Sequence, residues 1–162
     1  MEALNINDEY DNSEIAAENS LQLIAFSLGD QTYSVEITTV REIRAWNGAT
    51  PLPNTREFVR GVINLRGTIV PIFDLRARFG GGQTSPTKTH VVVVMSVGEK
   101  WVGILVDAVS DILTINKKDV HPVPEGNSSG ASELLRGIIT HNDKMVGMID
   151  LHAVIDGAKL EE

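Results

Sequence analysis

The residues most able to do chemistry are four histidines, His90, His121, His141 and His152, and a set of spaced carboxylates. A metal site needs His or acidic ligands at a spacing that brings them onto one face, as in H-E-x-x-H. None of the four histidines has such a neighbour, so they read as surface or turn residues. Asp107 and Asp111 stand four apart, but in an extended segment that spacing does not force a shared site. There is no G-x-S-x-G elbow, no phosphate loop and no G-x-G-x-x-G. The Gly80-Gly81-Gly82 run lacks the following Lys-Ser/Thr of a phosphate cradle. With no cysteine, a disulfide scaffold, a thiolate zinc site, an iron–sulfur cluster and a cysteine nucleophile are excluded. The expectation is a protein that is not an enzyme, with no catalytic residue, metal or cofactor.

Charge is the next candidate for function. The formal net charge is -8, and residues 1–20 contribute -6 through Glu2, Asp8, Glu9, Asp11, Glu14 and Glu18. That segment reads as a solvated, flexible lead-in. Seven of the eight arginines, Arg41, Arg44, Arg56, Arg60, Arg66, Arg76 and Arg78, fall between positions 41 and 78, a stretch of net charge +4. Such a cluster either recognises an anionic partner or forms a solvated surface with local ion pairs. Single-stranded nucleic acid bound through 41–78 is the alternative function. Against it, aromatics are 5% of the chain, whereas stacking platforms need them, and the net charge repels phosphate.

The elements that must position these residues come in duplicate. Arg60-Gly61-Val62-Ile63 returns as Arg136-Gly137-Ile138-Ile139, and Asp74-Leu75-x-Ala77 returns as Asp150-Leu151-x-Ala153, both at an offset of 76. Residues 60–79 and 136–155 share seven identities in 20 without a gap, against about one expected by chance. Upstream, Ser27-Leu28-Gly29-Asp30 matches Ser96-Val97-Gly98-Glu99 at an offset of 69. Val35, Ile37, Val40, Glu42 and Ile43 match Ile104, Val106, Val109, Asp111 and Ile112 at the same offset. The second copy therefore carries seven extra residues between Ile112 and Arg136, where PVPEGNSSGAS reads as a loop. A pair of carboxylates repeated as Asp74 and Asp150 points to a structural job done twice.

Each copy reads as about five short strands. Leu21–Leu28 and Val91–Val97 are apolar runs of strand length, and 32–37 alternates with period 2. Trp101–Val106 is apolar on both faces, which requires cover on both. Val40–Trp46 and Val109–Ile115 read as third strands. Val62–Leu65 with Thr68–Phe73 forms a hairpin over Arg66-Gly67, and 138–139 with Lys144–Ile149 forms one over Asn142-Asp143. Asn54 with Glu57 resembles a capping box opening a helical turn, and Asp150–Leu160 a short closing helix. A barrel of about 65 residues has a marginal core, so two copies are expected to share an apolar seam at Val91–Val94. No run approaches the roughly 18 apolar residues of a membrane span, and the acidic residues 1–14, with no basic or apolar stretch, are not expected to be a secretory signal. A cytoplasmic protein with no direct membrane insertion is expected.

The run Val62-Ile63-Asn64-Leu65-Arg66-Gly67-Thr68-Ile69-Val70-Pro71-Ile72-Phe73-Asp74-Leu75 resembles the signature hairpin of the bacterial chemotaxis coupling-protein (CheW) family. So do Phe26–Asp30 with Val40–Ile43 before it and Val102–Ile112 after it, and the resemblance covers about residues 20–156 in order. It implies a mainly β fold of two five-stranded SH3-like barrels from an internal duplication, sharing a hydrophobic core, with short helices. The domain reading is then a CheW-like domain over 21–162: a first barrel at about 21–79, a linker at 80–89 and a second barrel at about 90–156. The implied activity is that of a stand-alone adaptor joining the cytoplasmic tip of methyl-accepting chemoreceptors to the regulatory domain of the chemotaxis histidine kinase, in rings and arrays. Carried over residue by residue, the receptor groove corresponds to Val40, Glu42, Arg66, Ile69, Val91, Gly103 and Ile112. The kinase side corresponds to Gly61, Gly137, Ile37, Ile43 and Leu52. For Arg66 three partners stay open: Glu42, a helix carbonyl or a receptor acid. For Val40, Ile69 and Val91 the competing reading is core packing, and for the two glycines a positive φ.

Overall fold

The computed structural model describes residues 19–124 and 131–156, so the acidic lead-in lies almost wholly outside the described residues. The strands are β1 (Ser20–Leu28), β2 (Gln31–Glu36), β3 (Val40–Ala45), β4 (Val59–Leu65), β5 (Thr68–Asp74), β6 (Val91–Val97), β7 (Lys100–Val106), β8 (Ala108–Asn116), β9 (Leu135–His141) and β10 (Lys144–Ile149). Short helices α1 (Leu75–Arg78) and α2 (Leu151–Ile155) follow β5 and β10. The strands form two five-stranded sheets, ordered β8-β1-β2-β10-β9 and β3-β6-β7-β5-β4. Exchanging every strand for its repeat mate turns one order into the other, and the parallel pair Ile72↔Gly103 maps onto Met148↔Ser34 at the sequence offsets of 76 and 69. The duplication is therefore present in three dimensions.

The halves do not fold separately. A first barrel from 21–79 and a second from 90–156 is corrected by the topology: the β1–β2 hairpin joins β8, β9 and β10, and the β6–β7 hairpin joins β3, β4 and β5. Chain length gives the reason. Within its own half, β3 would have to lie beside β1 and run parallel to β2, so the chain would first have to travel back the length of the sheet. A parallel crossover of that kind takes a dozen or more residues. Three residues, Ile37–Thr39, separate β2 from β3, and a single one, Asp107, separates β7 from β8. Three residues span at most about 10 Å. Each chain segment therefore runs on into the neighbouring sheet.

Each sheet closes on itself by the same device. Beyond β3 the chain reaches Thr50, whose N–H donates to the Val62 carbonyl (2.8 Å) and whose carbonyl accepts from the Val62 N–H (2.8 Å). Beyond β8, His121 makes the matching pair with Ile138 at 2.8 and 2.9 Å. These bridges cover the edges of β4 and β9, which would otherwise invite pairing with another chain.

Three apolar clusters follow from the period-2 alternation. Leu23, Ala25, Leu113, Ile139, Val146 and Met148 fill one barrel; Leu65, Val70, Ile72, Val92, Val94 and Leu105 fill the other. The opposite faces of the same strands, including Phe26, Val35, Phe73, Val93, Met95 and Ile104, meet in a shared core between the sheets. Val92 and Val94 thus point into a barrel while Val93 points into the seam. That is why this run has no polar face.

Asp74 and Asp150 each cap the helix that follows: Oδ1 accepts from Ala77 N–H at 3.3 Å and from Ala153 N–H at 3.2 Å. The helical turn expected at Asn54–Glu57 is absent. Asn54 has φ 61°, in the left-handed region, whereas an N-cap needs extended backbone. Glu133, the mate of Glu57 at the offset of 76, does lie in a helical turn, Ala131–Leu134. The linker is also no loose tether: Thr84 is buried, donating N–H to Asp74 Oδ2 (2.7 Å) and its hydroxyl to Oδ1 (2.7 Å).

Candidate functional site

The β4–β5 hairpin builds the most exposed charged feature among the residues carried over from the family. Its two-residue turn holds Arg66 at φ 53° and Gly67 at φ 92°, the left-handed pair that matches the twist of flanking strands. Asn64 Oδ1 accepts from the Gly67 N–H at 2.7 Å and fixes the apex. The Arg66 side chain, 69% exposed, reaches across to Glu42 on β3, where Nη2 donates to Oε1 at 2.8 Å. β3 and β4 are opposite edges of their sheet, so barrel closure is what brings Glu42 to Arg66. Arg44 Nη1 lies 3.5 Å from the other Glu42 oxygen. The Arg66 hydrogen bond holds the Glu42 carboxyl below its ordinary range; desolvation opposes it, and the charges of Arg66 and Arg44 add to the lowering. Of the three partners open to Arg66, this structure pairs it with Glu42.

The other receptor-side residues divide into surface and interior. Ile69, on the outer face of β5, is 59% exposed, so it is not core. Val40 and Val91 are half-buried and pack on the shared core. Gly103 is buried. A Cβ there would sit 2.7 Å from Ile72 Cδ1 and 2.9 Å from Val92 Cγ1, so it shapes the barrel interior and lines no surface. Ile112 is 56% exposed but lies on β8 of the other sheet, apart from the Glu42–Arg66 pair in strand order.

On the kinase side, Gly61 and Gly137 are both buried under the barrel closures. A Cβ on Gly61 (φ 135°) would fall 2.1 Å from the Thr50 carbonyl oxygen; one on Gly137 would meet Val120 Cγ1 at 2.5 Å and His121 O at 3.0 Å. Positive φ thus explains Gly61, whereas at Gly137 close approach is the reason. Ile37 is half-buried in the turn before β3, and Ile43 and Leu52 are exposed. Met145, 63% exposed, was not among the sequence candidates. It is the repeat mate of Ile69, as Ile112 is of Ile43, so the offset of 76 was the signal that pointed to it.

The arginine cluster is mostly spent inside the molecule. Arg41 bonds Ser96, Arg44 and Arg66 hold Glu42, Arg60 reaches Asp74 and the Thr84 carbonyl, and Arg76 the Gly81 carbonyl. Arg78 donates to the carbonyls of Ala153 and Val154 at the end of α2 and lies 4.8 Å over the Phe58 ring. Arg56 alone of the seven makes no such bond among the described residues. Aromatics pair internally, Tyr33 on Phe79 and Phe58 near Phe73. This arrangement gives no support to the nucleic-acid alternative. His90 is likewise structural: Nδ1 accepts from the Thr87 N–H, and Nε2 lies 3.4 Å from Asp107. Among the described residues no group of three His, Asp or Glu could hold a metal.

Two interlocked barrels, a charged pair joining the two edges of one sheet and exposed apolar residues fit a scaffold whose surface does the work. Comparison with known proteins agrees. The CheW-like domain matches residues 22–159. The chain is 45% identical over 140 residues to a probable chemotaxis protein CheW of Rhizobium etli, covering 86% of this chain and 90% of that one. It is 36% identical over 149 residues to chemotaxis protein CheW of Klebsiella aerogenes, with 91% and 90% covered. The crystal structure of the scaffolding protein TtCheW from Thermoanaerobacter tengcongensis superposes with a TM-score of 0.77 at 32% identity, over 84% of this chain and 88% of that one. This chain belongs to the CheW family of chemotaxis scaffold proteins, and it is not an enzyme.

Proposed function

We propose that this scaffold couples the cytoplasmic tips of methyl-accepting chemoreceptors to the regulatory domain of the chemotaxis histidine kinase, and that it works in the cytoplasm without entering the membrane. The observation that carries the reading is the Glu42–Arg66 pair with exposed Ile69 beside it, an ionic and apolar face of the kind that receives an amphipathic helix. Glu42, Arg66, Ile69 and the rims of Val40 and Val91 form the receptor face, with Ile112 contributing from β8. Gly103 acts there through shape. Ile43, Leu52 and Ile37 form the kinase side, and Gly61 and Gly137 act by closing the barrels that carry it. The repeat relation between the two barrels gives the protein two related faces, which suits rings formed with a kinase domain. No helix among the described residues is long and apolar enough to cross a membrane.

The test is Arg66→Glu in co-sedimentation with receptor-bearing membranes and kinase. An exposed side chain at a turn apex leaves the fold intact, and the new acid faces Glu42. Receptor partitioning falls at least tenfold while binding to the isolated kinase regulatory domain persists. Unchanged partitioning overturns the assignment of this face.

A further inference from the structure

The repeat exposes a second site by showing it filled on one side of the molecule and, among the described residues, unfilled on the other. In the first half the chain beyond α1 folds back so that Thr84 seats on Asp74. The carboxylate takes both the Thr84 N–H and its hydroxyl, Arg60 Nη1 donates to the Thr84 carbonyl at 3.0 Å, and Arg76 Nε donates to the Gly81 carbonyl at 3.0 Å. At the repeat offset the three holding residues become Asp150, Arg136 and His152. There a cleft of about 320 Å³ lies between β2, β9 and β10 of one sheet and the β6–β7 turn of the other, lined by these three residues with Glu36 and Ser96. Asp150 Oδ1 caps α2, and Oδ2 has no partner among the described residues. Arg136 is drawn aside to Glu36, whose own mate is Leu105, so the copies diverge at the one residue that holds the arginine away. The residue standing at the offset from Thr84 is Leu160, which carries no hydroxyl.

We propose that this cleft binds an extended peptide segment of a partner protein through a serine or threonine. Asp150 receives the peptide N–H and the hydroxyl, Arg136 turns from Glu36 to the same residue's carbonyl, and His152 stands where Arg76 holds the carbonyl three residues earlier. The exchange at Arg136 is feasible because the Arg136–Glu36 pair is partly exposed, the arginine side chain by 51% and the glutamate by 26%, and solvent screening weakens such pairs. A carboxylate at the centre selects a neutral hydroxyl and rejects a phosphorylated one. The site is distinct from Glu42 and Arg66, and its test needs neither receptor nor kinase.

The experiment is an NMR titration of the full chain with the acetylated, amidated peptide GGGQTSP, the sequence of residues 80–86. Saturable amide shifts at Arg136 and 150–152 are expected. The same peptide with Thr84→Val binds at least tenfold more weakly, and so does the Thr peptide to Arg136→Gln. Glu36→Gln frees the arginine and strengthens binding by up to about fivefold. Absence of saturable shifts, shifts confined to other residues, or equal binding of the Val peptide overturns the proposal; the last result means that backbone contacts alone are being seen.

Discussion

Gly61→Ala is the substitution that most directly tests how the barrel is closed. The added Cβ would stand 2.1 Å from the Thr50 carbonyl oxygen, 2.6 Å from the Thr50 carbonyl carbon and 3.0 Å from Pro51 Cα, all of them backbone atoms with no rotamer to change. The residue also sits at φ 135°, a region that side-chain-bearing residues scarcely enter. Holding that conformation costs about 1–3 kcal/mol. Relieving the clash also means separating Thr50 from β4 and losing the two 2.8 Å hydrogen bonds with Val62. At about 0.5–1.5 kcal/mol each, those bonds bring the expected destabilisation to roughly 2–6 kcal/mol, a large part of the 5–15 kcal/mol typical of a domain. At Gly137 the nearest atom is a valine methyl and φ is not in the positive region, so Gly137→Ala costs about 1–3 kcal/mol, the usual range for overpacking. Urea unfolding followed by far-ultraviolet circular dichroism measures both. Equal losses at the two glycines, or a Gly61→Ala loss under about 1 kcal/mol, refute the closure argument and leave Gly61 to act through direct partner contact.

The remaining predictions concern the same devices. A carbon-detected NMR titration will place the Glu42 carboxyl below the ordinary glutamate range and return it to that range in Arg66→Ala; because the folded value is the lower one, the pair stabilises the protein at neutral pH and its contribution disappears as the solution is acidified through that folded value. Thr84→Val leaves one oxygen of the buried Asp74 without its hydroxyl donor and lowers the unfolding free energy by about 1–3 kcal/mol by urea titration, whereas Ser85→Ala, at an exposed position, changes it by less than about 0.5 kcal/mol. A chain cut within the linker at 85–89 yields fragments that give unfolded spectra apart and a folded spectrum when mixed, since each sheet takes strands from both; a folded spectrum from either fragment by itself contradicts the strand exchange.

The strands were legible because their apolar residues alternate or run unbroken: Val91–Val97 was placed to the residue, and most others to within a residue or two. Both hairpins were legible in Gly67 and in Asn142-Asp143, residue types that tolerate the left-handed backbone found there; Arg66 is left-handed as well, and its residue type carries no such sign. The duplication was legible in the two offsets. The helical turn at Asn54 was misread because a capping box is defined by residue types, and the left-handed backbone at Asn54 is imposed by the path from Thr50 to β4. Gly103 was placed on a surface for want of any local sign that β7 turns that position towards Ile72 and Val92.

Sequence alone determined the number and kind of strands, the repeat and the surface chemistry, because these depend on neighbours along the chain. Tertiary structure decided which half each hairpin joins. Two similar copies offer nearly equivalent docking places, and only the reach of the short β2–β3 and β7–β8 connections separates them. It also decided that Glu42 meets Arg66 and that Thr84 seats on Asp74, since these contacts exist only once the barrels have closed.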